Sequence, residues 1–305
     1  MPKQIQFVPA RLRAMAVLFI TLVLAACGGG TRSGNIGMNS PGGGSGTPKF
    51  ALKFFGTGTS GIDRVKIPLS STTAVNVGAT DFTIEFWLKG NAADNTAAGC
   101  ATTVDAWRNG NVVIDRDVNG AGDFGDFGLS LFGGRVAFGV ARGAFGATIC
   151  GTRSVLDGAW HHVAVTRQRS TGQMQLFVDG TLDVQLPADV NTSLDVSYNT
   201  ARTTSFPNSD PFLVLGAEKH DSGVNYPSFH GLLDELRVSN TLRYFGSFSR
   251  PIAAFVADSN TMALYHFDEG SGITVGDSAT GATSPGILAV GGANNGPQWV
   301  TDTPF

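Results

Sequence analysis

Residues 157–166 read DGAWHHVAVT and residues 173–180 read QMQLFVDG, and these two stretches decide the fold class. Both alternate apolar and polar residues, which predicts two strands that each bury one face. The polar loop 169–172 between them contains a glycine, and Asp179-Gly180 is a pair typical of tight turns. The segment therefore predicts two antiparallel strands and the start of a third.

Strand-like segments recur along the chain, and no convincing helical segment interrupts them. In residues 81–89 strict alternation places Phe82, Ile84, Phe86 and Leu88 on one face, which we expect to lie in the core. About a dozen short strands separated by glycine-rich turns predict two packed sheets, most simply a jelly roll. The other predicted strands are 50–55, 64–69, 112–114, 128–132, 135–140, 211–216, 229–238, 262–267, 286–290 and 298–300.

Several motifs resemble those of the laminin G-like, concanavalin A-like sandwich family. They are WHHVAV with LFVDG in the hairpin, Phe55-Gly56, FTIEFW at 82–87, GLLDELR at 231–237 and FDEGSG at 267–272. The resemblance covers most of the chain from Phe50 onward, although the insertion between Asn91 and Arg153 does not map onto it. It implies an all-β, concanavalin A-like jelly-roll β-sandwich of two antiparallel sheets that serves as a binding module.

The N-terminus has the features of an export signal. Lys3, Arg11 and Arg13 precede the apolar run 14–24, which is shorter than the ~20 residues that a membrane span needs. The sequence LAAC at 24–27 resembles the bacterial lipobox, which implies a signal peptide at 1–26 and an acylated Cys27. The alternative is an ordinary secretory signal with an incidental cysteine.

The resemblance to lipoproteins also implies a location. Gly28 is not the aspartate that retains such proteins in the inner membrane, so we expect a lipid-anchored protein of the bacterial cell envelope, in the outer membrane. Residues 27–48 are rich in Gly and Ser and predict a flexible tether. Residues 49–305 predict one folded domain. The net charge of −3 and the lack of Lys and Arg clusters argue against a nucleic-acid partner.

The chain has three cysteines. Once Cys27 is assigned to the lipid, Cys100 and Cys150 remain, and such a pair in an exported protein is usually a disulfide. A bridge over this separation would contribute about 3–4 kcal/mol. The alternative is a pair of free thiols.

Hydrolysis is the first activity to consider, because the fold also houses glycosidases that use two carboxylates. None of the four glutamates begins the Glu-x-Asp-x-Glu array of the sandwich hydrolases. We expect the neighbouring Asp234 and Glu235 to point to opposite faces of a strand and therefore not to act as a pair. His161 and His162 diverge in the same way, which favours a role in the core or across strands over metal binding. We therefore expect no enzyme activity.

The loop 115–126, DRDVNGAGDFGD, gives the sharpest site hypothesis. Oxygen-bearing side chains at positions 1, 3, 5, 9 and 12, with glycine at position 6, match the spacing of a calcium loop. Position 12 is Asp rather than the bidentate Glu, and strands rather than helices flank the loop, so a purely turn-making loop is the alternative. Laminin G-like domains often bind calcium at a sandwich rim. The candidate Ca²⁺ ligands are Asp115, Asp117, Asn119, Asp123 and Asp126.

A second candidate site is the loop 216–226, GAEKHDSGVNY, which combines charges, an amide and an aromatic ring. Sugar sites use this mixture, and Trp107 in the insertion would add a stacking surface. The alternatives are that the loop is simply polar and that Trp107 belongs to the core. The candidate ligand-binding residues are Trp107, Glu218, His220, Asp221 and Tyr226.

Together these features predict a non-catalytic module that binds a glycan or a glycosylated protein and meets the membrane only through its lipid. A polysaccharide hydrolase and a structural envelope protein that contacts other proteins are the alternatives.

Overall fold

The computed structural model describes residues 49–119, 125–199 and 206–305. The predicted signal peptide, the tether with Cys27, and Asp123 lie outside these residues. None of the described helices is long and apolar enough to cross a membrane. The described residues form strands and four short 3-10 helices.

The strands follow one another along the whole described chain. Those of the first half are β1 (Ala51–Phe55), β2 (Arg64–Pro68), β3 (Phe82–Asn91), β4 (Asn111–Asp115), β5 (Asp126–Phe132), β6 (Arg135–Arg142), β7 (Phe145–Ser154) and β8 (Asp157–Arg167). Those of the second half are β9 (Met174–Val178), β10 (Thr181–Leu186), β11 (Phe212–Leu215), β12 (His230–Ser239), β13 (Thr261–Tyr265), β14 (Thr274–Val275), β15 (Gly286–Ala289) and β16 (Gln298–Val300).

The strands form two eight-stranded sheets in which every ladder between strands is antiparallel. Sheet A has the order β10-β9-β8-β3-β12-β1-β16, and β13 also pairs with β12. Sheet B has the order β14-β15-β2-β11-β4-β5-β6-β7. Sequence neighbours are often distant in these orders, as in a jelly roll. The predicted all-β sandwich of two antiparallel sheets is confirmed.

The core lies between the sheets and takes alternate residues from both. Phe82, Ile84, Phe86 and Leu88 of β3 all belong to it, as their alternation predicted. Sheet B contributes residues such as Phe138 of β6, whose ring meets that of Phe82 edge to face. The period-2 pattern of β3 therefore reports correctly which of its faces is inside.

The predicted hairpin is confirmed. Val163 of β8 pairs with Val178 of β9, and the next turn carries Asp179 at a φ of 49° and Gly180 at 75°. Two consecutive positive φ angles are the geometry of the tight turn that an Asp-Gly pair favours. The third strand that the segment begins is β10.

A second layer covers the outer face of sheet A. Trp87 of β3 packs there with Phe255 and Leu264. Glu85, also on this face and fully buried, accepts hydrogen bonds from Arg237 Nε at 2.9 Å and from the Tyr244 hydroxyl at 2.7 Å. The chain after β12 therefore covers polar positions that strict alternation alone would leave in solvent.

The expectation that Asp234 and Glu235 point to opposite faces is wrong. β12 is irregular between Asp234 and Arg237, and Glu235 has a φ of 50°. Asp234 pairs across the sheet with Trp87, so both lie on the outer face. Oε2 of Glu235 accepts a hydrogen bond at 2.8 Å from the backbone N of Phe255 on that same face. The bulge places one extra residue in the strand, which breaks the alternation.

The insertion between Asn91 and Arg153, to which no family motif corresponds, contributes half of the strands of sheet B. Strands β4 to β7 come from it, and a 3-10 turn at Ala106–Asn109 packs against them. Cys100 and Cys150 form the predicted disulfide, with Cα atoms 6.1 Å apart. The bridge ties the loop before this turn to β7.

Candidate functional site

The two loops predicted as separate sites meet on the outer face of sheet B. Asp115 ends β4 and pairs across the sheet with Val214 of β11, which places its side chain on that face. The loop that follows β11 returns over it, and the backbone N of Lys219 donates to Oδ2 of Asp115 at 2.8 Å. The structure therefore joins residues of both loops into one buried charged cluster.

Trp107 does not provide a stacking surface for a ligand. Its side chain is fully buried against Gly128 and Gly139, where a Cβ atom would come within 2.2 Å and 2.1 Å of the indole. These two glycines face outward because Phe127 and Phe138, their neighbours in β5 and β6, face the core. The prediction that Trp107 binds a ligand is wrong, because its indole packs against the outer face of sheet B and is not accessible.

The carboxylates of the loop 115–126 hold its backbone. Oδ1 of Asp115 accepts from the N of Asp117 at 2.6 Å, and Oδ1 of Asp126 accepts from the N of Val118 at 2.6 Å. Asn119 donates its backbone N to Asp210 at 3.3 Å. These contacts match the alternative of a turn-making loop, whose Asp side chains mimic backbone turns. Calcium binding by this loop stays a prediction.

His220 lies at the centre of the cluster. Its Nδ1 lies 3.3 Å from Oδ2 of Asp117 and 3.1 Å from Oε1 of Glu218, and its Nε2 hydrogen bonds to Oδ1 of Asp210. All four side chains are at most 3% exposed. Burial would lower the pKa of His220, but the three carboxylates outweigh it and raise the pKa to about 11.

Asp117 is further fixed by Arg108, whose Nη1 donates to Oδ2 at 3.0 Å. Burial favours the neutral form of Asp117, yet the contacts with His220 and Arg108 prevail and lower its pKa to about 2. Asp115 behaves differently, because burial and then the charge of Glu218 raise its pKa to about 6. Specific cationic partners thus hold Asp117 charged, whereas Asp115 gains a proton more readily than a free aspartate.

Two further cations complete the cluster, and sequence reasoning missed both as site residues. Nζ of Lys219 donates to the carbonyls of Asp210 and Phe212 at 3.1 Å and 3.0 Å. Arg64 of β2 donates to the carbonyl of Glu218 at 2.9 Å. Asp210 was missed as well, since it lies just before a predicted strand and outside both candidate loops. No local motif signals Arg64 or Asp210, whereas Lys219 lies within the second candidate loop without having been singled out.

The remaining predicted residues lie at the edge of the cluster. The backbone N of Asp221 donates to Glu218 Oε2 at 2.6 Å, and its own side chain is exposed. Tyr226 is half-buried in a tight turn in which it exchanges backbone hydrogen bonds with Gly223. Glu218, His220 and Asp221 are therefore brought together, whereas Tyr226 belongs to the far end of the loop.

Two adjoining grooves run along the insertion beside this cluster. One has a volume of about 370 Å³ and is lined by residues 98–109 in part, including Asp105, Arg108 and Asn109. The other, of about 400 Å³, shares Phe132 with the first and reaches the disulfide. Arg108 lines the first groove and also donates to Asp117, so this side chain links the groove to the charged cluster.

Comparisons with solved structures find several proteins to which this chain is similar. A protein of Bacteroides ovatus ATCC 8483 with a provisional assignment as a carbohydrate binding protein is 18% identical, with a TM-score of 0.50 over 79% of this chain and 58% of that one. The heptameric SAP-like pentraxin of Limulus polyphemus is 13% identical, with a TM-score of 0.43 over 65% of this chain and 79% of that one. The CBM40 of the Ruminococcus gnavus IT-sialidase is 16% identical, with a TM-score of 0.41 over 65% of this chain and 92% of that one.

This chain spans 58% of the length of the Bacteroides ovatus protein, and the identity of 18% shows a shared fold. A comparison with curated proteins gave no significant match. The family model described as the concanavalin A-like lectin/glucanases superfamily matches residues 63–243, more than half of the chain. That match includes the central hairpin and both loops of the charged cluster, and the chain therefore belongs to the concanavalin A-like lectin/glucanases superfamily.

Proposed function

We propose that this protein is a non-catalytic module that binds a glycan or a glycosylated protein at the bacterial cell surface. The observation that carries the proposal is the polar groove along residues 98–109, on a sandwich of a superfamily that contains lectins. A binding role is also suggested by the provisional carbohydrate-binding assignment of the Bacteroides ovatus protein.

The groove offers what a sugar requires. Arg108 presents donors whose direction is set by Asp105 at 3.7 Å and Asp117 at 3.0 Å. Asn109 and Thr103, both exposed, add an amide and a hydroxyl that suit sugar hydroxyls. Polar groups held by neighbours lose little entropy when a ligand binds, which favours specific recognition.

Binding rather than hydrolysis is favoured by the carboxylates. The first groove is lined by one carboxylate, Asp105, which is paired with Arg108, whereas glycoside hydrolysis uses two. Asp234 and Glu235 do lie on one face, but each is only 3% exposed. A substrate would have to displace the covering chain to reach them. A hydrolase and a structural envelope protein remain the alternatives.

A glycan array tests the proposal. We expect the exported chain to bind a defined subset of glycans, and Asn109→Ala and Thr103→Ala each to lower binding about tenfold, since lost hydrogen bonds to a sugar cost about 1.5 kcal/mol. Asn294→Ala, an exposed asparagine far along the chain from the groove residues, is the matched control. Release of reducing sugar from a polysaccharide panel would instead support the hydrolase, and an array without any bound glycan would favour the structural protein.

Calcium binding by Asp115, Asp117, Asn119, Asp123 and Asp126 is tested by thermal unfolding with Ca²⁺ and with a chelator. An ion that binds only the folded protein raises the melting temperature. An unchanged melting temperature at saturating Ca²⁺ would show that the loop does not bind calcium and that its carboxylates only stabilise turns.

A further inference from the structure

We propose that Asp117, Glu218 and His220 form a binding site for a divalent transition-metal ion such as Zn²⁺, which shares only Asp117 with the predicted calcium ligands. Within the described parts of the chain, these three are a group whose ligand atoms all lie within 4.8 Å of one another. They come from the loop after β4 and the loop after β11, so an ion would join the two loops.

The distances within the group fit a small ion. Zn²⁺ binds nitrogen and carboxylate oxygen at about 2.0–2.2 Å, which in a tetrahedron separates the ligand atoms by about 3.4 Å. Nδ1 of His220 lies 3.3 Å from Asp117 Oδ2 and 3.1 Å from Glu218 Oε1. Charge-assisted N–H···O contacts are usually shorter, about 2.7–2.9 Å. A small shift of these side chains would therefore make room for the ion.

Asp210 orients His220 in the way that a carboxylate commonly orients a histidine in metal sites. Its Oδ1 accepts the hydrogen bond of His220 Nε2, so the other ring nitrogen, Nδ1, points at Asp117 and Glu218. A carboxylate behind a ligating histidine fixes the ring and the nitrogen that coordinates. Asp210 is thus a positioning residue and not a ligand.

A second observation is an unpaired carboxylate oxygen within the cluster. Oδ2 of Asp210 is buried without a hydrogen-bond partner, on a side chain that is 0% exposed. Leaving a buried carboxylate oxygen unpaired costs free energy unless a cation or a water completes its surroundings. The orphan oxygen belongs to the same carboxylate that holds His220.

The ligand types select the class of ion. Calcium takes six to eight oxygen ligands, whereas imidazole nitrogen suits Zn²⁺ and its neighbours in the first transition row. The site offers one nitrogen and two carboxylates, which leaves a fourth tetrahedral position for water or a ligand oxygen. When the ion binds, Nδ1 releases its proton to solvent and donates its lone pair to the metal.

The test uses the untagged, chelator-treated exported chain and Zn²⁺ as the probe. We expect calorimetric titration to show one tight Zn²⁺ ion per chain, a larger rise in melting temperature with Zn²⁺ than with an equal concentration of Ca²⁺, and four-coordinate ligand-field bands with Co²⁺. Glu218→Gln and Asp117→Asn should each weaken Zn²⁺ binding at least ~100-fold, and Asp210→Asn about 10- to 100-fold.

His161→Gln is the matched control. His161 is also flanked by two carboxylates, Asp179 at 2.7 Å from Nδ1 and Asp157 at 3.0 Å from Nε2. These lie on opposite ring nitrogens, so they cannot share one ion with the ring, and the variant should bind Zn²⁺ as the unaltered protein does. The proposal is overturned if the unaltered chain binds no stoichiometric Zn²⁺, if Ca²⁺ stabilises it equally, or if folded Glu218→Gln retains full affinity. None of these readouts depends on glycan binding.

Discussion

Trp107 rests on Gly128 and Gly139 because no larger residue fits beneath its indole. A Cβ atom at position 139 would come 2.1 Å from the ring, which is far inside van der Waals contact. Trp107, which lies in a 3-10 turn outside both strands, therefore requires glycine at positions 128 of β5 and 139 of β6. The tryptophan in turn gives the turn at Ala106–Asn109 its apolar anchor.

Gly139→Ala is expected to lower the free energy of unfolding by about 1–3 kcal/mol, as overpacking does in a well-filled core. Urea unfolding followed by tryptophan fluorescence measures it. Gly246→Ala is the control, because a Cβ atom there meets no other atom within 4 Å, and it should leave the stability nearly unchanged. Equal stabilities of the two variants would contradict the packing described for Trp107.

Asp234 shows what a bulge does to a carboxyl group. Burial and then the charge of Glu235 raise the pKa of Asp234 to about 9. The folded protein therefore holds a proton that the unfolded chain, with a pKa of about 3.9, has already released. In that window the folded state binds more protons, so the stability falls as the pH rises toward the folded pKa.

Asp234→Asn should remove this contribution. We expect the variant to lose less stability than the unaltered protein between about pH 5 and about pH 8 in urea unfolding. Asp258→Asn is the control. Arg243 holds the pKa of Asp258 well below its usual range, so that carboxylate is charged throughout the window and its loss should not change the slope. An Asp234→Asn variant with the original slope would show that the carboxyl is not buried as described.

Among the elements, the insertion is where sequence and structure differ most. β7 was not predicted, because Phe145–Ser154 contains two glycines and ends in exposed polar residues that break the period-2 pattern. Pairing with β6 makes it a strand. By contrast, β3 and β8 were predicted closely, since apolar and polar residues alternate along their sequences.

Loss of the disulfide should affect the insertion first. Replacing both Cys100 and Cys150 by Ser removes a bridge across 50 residues and is expected to cost about 2–4 kcal/mol. Hydrogen exchange should also rise most in residues 98–109, because the bridge holds this loop to β7. Thermal unfolding and exchange mass spectrometry check both effects. Unchanged exchange in that loop would show that Trp107 alone is enough to hold it.

The predicted cellular location of the whole protein depends on acylation of Cys27. We expect the chain expressed in a Gram-negative bacterium to incorporate alkyne-labelled palmitate and to fractionate with the outer membrane, because acyl chains on Cys27 would supply the anchor that the sequence predicts. Cys27→Ser should abolish the label and release the protein to the soluble fraction. Labelling of that variant would contradict acylation at this cysteine.

The sequence alone determined the all-β sandwich, the inward face of its clearest strands and the disulfide partners, because strand alternation, turn residues and cysteine number are local properties. It also named Glu218 and His220 as site residues, although as members of a loop separate from Asp117. Only the tertiary structure decided that these side chains meet, that Asp210 holds His220, and that Trp107 is buried. The physical reason is that antiparallel pairing of β4 with β11 brings together residues about a hundred positions apart, and no local pattern encodes that pairing.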